Sequence, residues 1–359
     1  MKLRLVLVVL ITGMEVVINN SKKAIAVVLL SILAPANLIF AQASFSAKEV
    51  SYQSDTITIA ATLYLPDEEG PFPVAVLVPG SGGSDRSNIW MKAYVEEFLE
   101  RNIAVLYYDK RGTGKSGGDW KVASFYDLAD DVLAGVNFVH SQLKIDTARI
   151  ALVGFSQGSS IISIAASSPK VDLAVSVSGS VVSLSETIMY QVRVMGQNED
   201  FTAQQIKSVD SLNLLAFAFA KQKRDMAGIG SEVDQAWNYY DNYRQSLLAT
   251  AIGGTKTVLG FPADSTDSKW SWLANVGGVD SNFFRPLEHW KSVNVPVLFL
   301  YGGRDENVDA AKGSHLITSE FTRMNKNFVI LYMGLNGHGL IREDAMDFIT
   351  RWIADLGAK

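Results

Sequence analysis

The chain of 359 residues has no cysteine, only four histidines and no run of basic residues. The absence of cysteine excludes disulfides, thiolate–zinc sites and a cysteine nucleophile, although it does not identify a cell compartment. No two histidines form an H-x-x-x-H pair, so we expect no metal site. The net charge of −5 and the lack of a basic run argue against a nucleic-acid partner.

The first 43 residues have the features of an export signal. A lysine pair precedes an apolar stretch over residues 24–40, and Ala41-Gln42-Ala43 follows as a small-x-small cleavage site. We predict a signal peptide over residues 1–43, cleaved after Ala43, and a periplasmic or extracellular protein. If it were not cleaved, the same segment would anchor the protein to the membrane. Met1 and Met14 are both candidate start sites.

Short apolar runs alternate with helical patterns along most of the remaining chain. This rhythm is typical of an α/β fold with a doubly wound, mostly parallel sheet. The predicted strands cover residues 48–65, 74–78, 103–108, 149–153, 173–177, 295–301 and 328–333. The predicted helices cover residues 90–101, 126–142 and 161–166.

The rhythm breaks over residues 181–291, where helical patterns flank a glycine- and serine-rich middle. We therefore predict a core in two parts, residues 44–180 and 292–359, with a helical cap inserted between them. Aromatic residues of the insertion either line an acyl pocket or form the cap's own small core. They include Trp237, Tyr240, Trp270 and Trp272.

One G-x-S-x-G pattern, Gly154-Phe155-Ser156-Gln157-Gly158, stands between a predicted strand and a predicted helix. In that context the pattern predicts a nucleophile elbow, a tight turn that lifts its serine above the sheet edge. A second match around Ser116 lies in a polar loop, and we reject it. Ser156 is therefore the predicted nucleophile. The alternative is a plain strand-to-helix turn in which Ser156 caps the helix.

A serine hydroxyl needs a base to take its proton. In proteins with such an elbow, the acid and then the histidine follow the serine along the chain. His338 lies in a glycine-rich loop directly after a predicted strand, whereas His289 and His315 fall in helical or connecting segments. Because catalytic groups collect at the carboxyl ends of parallel strands, we predict His338 as the base.

The acid is expected after a strand that neighbours the strand of the serine. Asp305 follows the strand that ends at Tyr301, so Asp305 is the predicted acid. Glu306 and Asp309 are the alternatives in the same loop. Asp280 is a weaker candidate, because no strand pattern leads into it.

Two backbone N–H groups are expected to form the oxyanion hole. One belongs to Gln157, the residue after the nucleophile. The other is expected in the loop Pro79-Gly80-Ser81-Gly82-Gly83, which follows the first predicted central strand. Ser81 is the predicted donor and Gly82 the alternative. Glycines let this backbone approach a substrate closely.

These motifs resemble those of the α/β-hydrolase superfamily over about residues 50–357. The chain is most similar to exported bacterial esterases grouped with prolyl-oligopeptidase-like and serine-aminopeptidase-like hydrolases. The resemblance rests on the Pro79-Gly80-Ser81-Gly82 loop, the Asp109-x-Arg111-Gly112-x-Gly114-x-Ser116 loop, the elbow at Ser156, and the loops of Asp305 and His338. It implies a cofactor-free hydrolase with a cap inserted after the sixth strand.

The expected activity is hydrolysis of small-molecule esters through an acyl-enzyme. A peptidase, a thioesterase or an acyltransferase would use the same residues, and a non-catalytic binding protein would reuse the fold. Large peptidases of the resembling group carry an amino-terminal propeller. Only about 30 residues separate the predicted cleavage site from the first central strand, which leaves no room for one and favours an esterase.

Overall fold

The computed structural model of the protein describes residues 45–198, 283–339 and 343–356, short stretches at 7–11, 14–19 and 202–204, and residues 206, 207 and 210. Most of the predicted cap, with its four named aromatic residues, lies outside the described residues. So does the apolar stretch over residues 24–40, and the export signal stays a prediction.

The described strands alternate with helices along the chain. The strands are β1 (Leu7–Ile11), β2 (Met14–Asn19), β3 (Phe45–Ser54), β4 (Ile57–Pro66), β5 (Phe72–Val78), β6 (Ala104–Tyr108), β7 (Ile145–Phe155), β8 (Leu173–Val177), β9 (Val297–Gly302) and β10 (Phe328–Met333). The helices are α1 (Ile89–Leu99), α2 (Phe125–His140), α3 (Gln157–Ala165), α4 (Leu184–Asn198), α5 (Pro286–Trp290), α6 (Ala310–Arg323) and α7 (Glu343–Leu356).

All described strands join one sheet in the order β1-β2-β10-β9-β8-β7-β5-β6-β4-β3. The six strands from β6 to β10 in this order are parallel, and β4 and β3 continue the sheet antiparallel at one edge. The doubly wound, mostly parallel α/β fold predicted from the sequence is thereby confirmed. Strand β5 lies between β6 and β7, so the connection from β5 runs to β6 on one side and the next connection, from β6, crosses back to β7 on the other side. A crevice for ligands forms at such a switch point, at the carboxyl ends of the strands.

The other edge of the sheet is formed by β1 and β2, whose residues fall within the predicted signal peptide over residues 1–43. Strands β1 and β2 pair antiparallel, and β2 pairs with β10. Both strands are rich in β-branched residues, which favour extended backbone. In the described part of the chain, no helix is both long enough and apolar enough to cross a membrane.

The sheet is buried on both faces, and β5 shows how. All seven residues of β5 are buried. Val74, Val76 and Val78 pack into the core beneath α2, α3, α5 and α6, while Ala75 and Leu77 pack into the core beneath α1 and α7. Because both faces need apolar side chains, the strand reads as a continuous hydrophobic run.

Helix starts are fixed by local hydrogen bonds. Ser124 and Asp127 form a reciprocal capping box at the start of α2, and the Asp309 carboxylate accepts the backbone N–H of Lys312 at the start of α6. Helix α3 differs, because its N-cap residue is Ser156 and the Ser156 side chain makes no capping hydrogen bond. Its hydroxyl is therefore not used to stabilise the helix.

Candidate active site

Ser156 occupies the sharp turn between β7 and α3. Its backbone has φ 51° and ψ −115°, a region that side-chain-bearing residues seldom adopt. The turn is held because the Ser156 backbone N–H donates to the Val177 carbonyl oxygen at 2.9 Å. Strain of this kind, fixed by a neighbouring strand, is the property of a nucleophile elbow.

Two glycines make the elbow possible. A side chain at Gly154 would strike the backbone of Gly158, and a side chain at Gly158 would strike the carbonyl oxygens of Val78 and Pro79. Glycine at positions 154 and 158 therefore lets β7, α3 and the end of β5 approach one another more closely than a residue with a side chain would allow. This contact brings the start of α3 against the loop that follows β5.

Asp305 and His338 lie together on the loops that follow β9 and β10. The Nδ1 atom of His338 is 2.9 Å from Oδ2 and 3.0 Å from Oδ1 of Asp305. An ionised carboxylate only accepts hydrogen bonds, so the proton of a neutral imidazole stays on Nδ1 and leaves Nε2 unprotonated. The backbone N–H groups of Asn307 and Val308 also donate to Asp305 Oδ1, at 2.8 and 2.9 Å.

The backbone joins this pair to the elbow. The Ser178 hydroxyl donates to the backbone carbonyl oxygen of His338 at 2.9 Å, and Ser178 directly follows Val177, which holds Ser156. The two loops are themselves tied by the Arg304 N–H, which donates to the Asn336 carbonyl at 2.8 Å. Consecutive residues at the end of β8 thus contact Ser156 on one side and His338 on the other.

The hydroxyl of Ser156 and the Nε2 atom of His338 have no hydrogen-bond partner among the described residues. Both groups are therefore available to a substrate. Catalytic hydrogen bonds are often long before a substrate binds and shorten in the complex. The assignment of Ser156, Asp305 and His338 as a triad remains a prediction that this arrangement supports.

The alternative histidines and acids occupy other places. His289 stacks on Phe284 with ring centroids 4.6 Å apart, and burial lowers its pKa. His315 is exposed on α6. The carboxylate of Glu306 accepts from Asn198 at 3.1 Å, and that of Asp309 caps α6. Asp280 lies outside the described residues.

The rejected serine motif is part of a structural loop. The Ser116 hydroxyl donates to the Asp109 carbonyl at 2.6 Å and accepts from the Ala60 N–H at 2.9 Å. The Asp109 carboxylate binds Arg86 through both oxygens, at 3.0 and 3.1 Å. These bonds fix the loop after β6 and use its serine for that purpose.

A buried lysine that the sequence analysis did not single out lies beside the predicted oxyanion hole. Lys110 is 1% exposed, and its Nζ donates to the carbonyl oxygens of Gly80 and Gly82 at 2.8 and 3.1 Å. It also donates to the side-chain oxygen of Gln157 at 2.9 Å. Burial lowers the pKa of Lys110 to about 7. The sequence places Lys110 after Asp109 in the loop that carries the family resemblance, but its pattern does not indicate that the Lys110 side chain is buried.

A cleft opens over Ser156. Its described walls are apolar or carry uncharged polar groups. They comprise Ser81, Phe125, Ser156, Gln157, Ser160, Ser180, Val182, Leu184, Thr187, Gln191, Phe284, Pro286 and Val308. The cleft thus contains the predicted nucleophile and both predicted oxyanion donors. No cluster of three or more histidine or acidic residues suited to a metal occurs within the described part of the chain.

Comparisons with known proteins identify the family and the relatives of this chain. Residues 55–316 match the family model of the X-Pro dipeptidyl-peptidases, S15 family. The chain is 23% identical to the esterase EstD of Thermotoga maritima over 316 residues, which cover 84% of this chain and 65% of EstD. It is 30% identical to the quorum-quenching protein AidA of Acinetobacter baumannii over 111 residues, 31% of this chain and 36% of AidA. The matched parts therefore fall short of two thirds of either relative.

Solved structures show the same fold. The Pyrococcus furiosus esterase Pf2001 superposes with a TM-score of 0.52 at 16% identity, covering 87% of this chain and 89% of that one. A structure of DcsB in complex with its substrate analogue gives a TM-score of 0.56 at 18% identity, covering 88% and 100% of the two chains. At this level of identity the likeness concerns the α/β-hydrolase fold.

Proposed function

The chain belongs to the X-Pro dipeptidyl-peptidase (S15) family of hydrolases, and we propose that the reaction of this member is cleavage of carboxylic esters through an acyl-enzyme on Ser156. The observation that carries the proposal is the strained elbow at Ser156, whose hydroxyl is not used for capping. Such a serine, joined through Val177 and Ser178 to the loop of the Asp305–His338 pair, supports covalent acyl transfer.

The reaction begins when Ser156 Oγ attacks the acyl carbonyl carbon. His338 Nε2 takes the hydroxyl proton, and the electron pair of the carbonyl bond moves onto its oxygen. The N–H groups of Gln157 and Ser81 hold that oxyanion, while Asp305 keeps the Nδ1 proton in place and stabilises the imidazolium. The electron pair of the oxyanion re-forms the carbonyl bond, the C–O bond to the alcohol breaks, and His338 gives its proton to the leaving alcohol. A water molecule, activated by His338, then releases the carboxylic acid.

The walls of the cleft favour an ester over an X-Pro peptide. A dipeptidyl peptidase acts near a free amino terminus, so its substrate presents an ammonium group close to the scissile bond. The described walls of this cleft hold no acidic side chain to pair with it. The neighbouring Glu186 already binds Lys312 at 3.1 Å and Arg285 at 3.4 Å, so its charge is compensated. A neutral acyl group suits such walls better.

A substrate panel tests this choice. Nitrophenyl esters of increasing acyl length are compared with an X-Pro nitroanilide and an acyl thioester, for the wild type and for Ser156→Ala. We expect short esters to give the highest kcat/KM and Ser156→Ala to lose nearly all turnover, because no other group supplies the nucleophile. Preferred cleavage of the nitroanilide would replace the ester proposal with a peptidase.

Two controls accompany the panel. Ser116→Ala removes the serine of the other G-x-S-x-G match, and we expect it to keep ester turnover if the protein folds. Thermal unfolding of Ser156→Ala is expected to equal that of the wild type, because the Ser156 side chain makes no hydrogen bond within the described structure. Unchanged ester turnover by Ser156→Ala would reject the catalytic role of this serine.

Export is a separate part of the proposal. The signal peptide over residues 1–43 is supported by the lysine pair, the apolar stretch and the alanines at 41 and 43. Sequencing the amino terminus of protein recovered from a periplasmic fraction tests it. Cleavage after Ala43 is expected to give a new terminus at Ser44, and an intact Met1 or Met14 terminus would contradict cleavage.

A further inference from the structure

Lys110 is a buried charged group that the reaction above does not use. Burial lowers the pKa of Lys110 to about 7, but three acceptors oppose that effect, because they match the three protons of the ammonium form: the carbonyl oxygens of Gly80 and Gly82 and the side-chain oxygen of Gln157. The number of donors thus matches the number of acceptors only in the charged form. A neutral amine would present a lone pair to one of these oxygens.

The bond to Gly80 acts on an oxyanion donor through a single peptide unit. The Gly80 carbonyl and the Ser81 N–H belong to the same planar, trans peptide, in which the two groups point in opposite directions. Holding the carbonyl at 2.8 Å from Lys110 Nζ therefore fixes the direction of the Ser81 N–H. A cation on the carbonyl also polarises the peptide and strengthens the N–H as a donor.

The second bond in the loop completes the restraint on this side. Lys110 Nζ donates to the Gly82 carbonyl at 3.1 Å, so the carbonyls before and after Ser81 converge on one ammonium. Gly82 has φ +78°, a left-handed conformation that lets the loop turn back in this way. The Lys110 backbone N–H adds a further bond to the Ser84 carbonyl at 3.0 Å.

The third bond reaches the other side of the predicted hole. Gln157 supplies the second oxyanion N–H, and its side chain accepts from Lys110 Nζ at 2.9 Å. One ammonium thus joins the loop after β5 to the start of α3. All three acceptors are neutral, so none of them cancels the positive charge of Lys110. That charge would therefore attract the negative charge of a tetrahedral intermediate in the oxyanion hole.

We propose that Lys110 is a positioning residue that sets the geometry of the oxyanion hole by holding the Gly80–Ser81 peptide and Gln157 in one hydrogen-bonded unit. The inference rests on the proposed acyl-transfer function. It assigns Lys110 no contact with substrate and no proton transfer. Its effect is expected on the transition state, where the oxyanion exists, and not on binding of the ground-state ester.

Lys110→Met tests the proposal, because methionine keeps most of the side-chain volume and removes the donors. We expect kcat for a short nitrophenyl ester to fall by about 10- to 100-fold with KM changed by less than about threefold. The affinity for a trifluoromethyl ketone, whose adduct with Ser156 carries an oxyanion, is expected to fall by the same factor as kcat/KM. If Lys110 only fills space, Lys110→Met would change thermal unfolding without lowering kcat and ketone affinity selectively over KM.

Lys115→Met is the matched control, since Lys115 lies in the same loop with a side chain that is 76% exposed and a single weak pair to Glu49 at 3.5 Å. It should keep the wild-type kcat and ketone affinity. Should Lys110→Met fail to fold, Gln157→Met replaces it, because that change removes one acceptor and leaves Lys110 in place; a reduced kcat with unchanged KM is expected there too.

The outcomes separate the two proposals. Wild-type kcat and ketone affinity in Lys110→Met, or in Gln157→Met if the first variant does not fold, would overturn the role of Lys110 and leave the esterase proposal standing. A wild-type protein that neither hydrolyses esters nor reacts at Ser156 would remove the proposed function itself.

Discussion

Replacing Asp305 by asparagine gives a sharp prediction, because the structure fixes how the new amide must lie. The Oδ1 atom of Asp305 accepts two backbone N–H groups, from Asn307 and Val308, at 2.8 and 2.9 Å. An NH2 group in that place would face two donors, so the amide oxygen takes the Oδ1 position. The NH2 group then takes the Oδ2 position, 2.9 Å from His338 Nδ1 in the wild type.

The imidazole must respond by changing tautomer. The amide oxygen, at the Oδ1 position 3.0 Å from Nδ1, already accepts two backbone N–H groups, whereas the NH2 group lies 2.9 Å away. An N–H on Nδ1 would face that donor, so we expect the proton of the neutral ring to move to Nε2. A protonated Nε2 cannot take the proton of Ser156. A change of this kind lowers kcat by about 10⁴, which corresponds to about 5 kcal/mol of transition-state stabilisation.

The assay is kcat for a short nitrophenyl ester, with urea unfolding as the folding control. Asp305→Asn should unfold close to the wild type, because both backbone hydrogen bonds to the side chain remain. Glu306→Gln and Asp309→Asn are matched controls in the same loop and should keep kcat, since their carboxylates bind Asn198 and cap α6. The reasoning is refuted if Asp305→Asn stays within about tenfold of the wild-type kcat while a control loses activity.

The remaining predictions concern the elbow and the loop after β6. Gly158→Ala should lower the free energy of unfolding by about 1–3 kcal/mol and reduce kcat, because the new methyl group strikes the Val78 carbonyl; urea titration checks it. Gly117→Ala, where the nearest atom would be 3.7 Å away, should change neither quantity. Arg111→Met should cost about 3–5 kcal/mol in the same titration, because it leaves the fully buried Asp131 unpaired. Adding Asp131→Leu should recover most of that loss, and no recovery would contradict the explanation.

Strands that are buried on both faces were predictable, because their sequences are continuous apolar runs. β8 and β10 begin and end at the residues that the sequence predicts, Leu173–Val177 and Phe328–Met333. β7 begins at Ile145, four residues before its prediction, since Asp146, Thr147 and Arg149 interrupt the apolar run. Its pairing with β5 shifts register near the same point.

The predicted site residues follow from position along the chain, because parallel strands deliver their following loops to one edge. Ser156, Asp305 and His338 could be named in that way. Lys110 could not be singled out, since its burial depends on three acceptors that lie 28 to 47 positions away in the sequence. Sequence periodicity carries no information about contacts of that kind.

The claim on which the account depends is that Ser156 is an activated nucleophile. Reaction of the folded protein with a fluorophosphonate probe, followed by intact-mass measurement and peptide mapping, tests it most directly. The account predicts one adduct per chain, on Ser156, with labelling abolished in Ser156→Ala and strongly slowed in His338→Ala. An adduct located on Ser116, or a folded protein whose Ser156 remains unmodified, would contradict it.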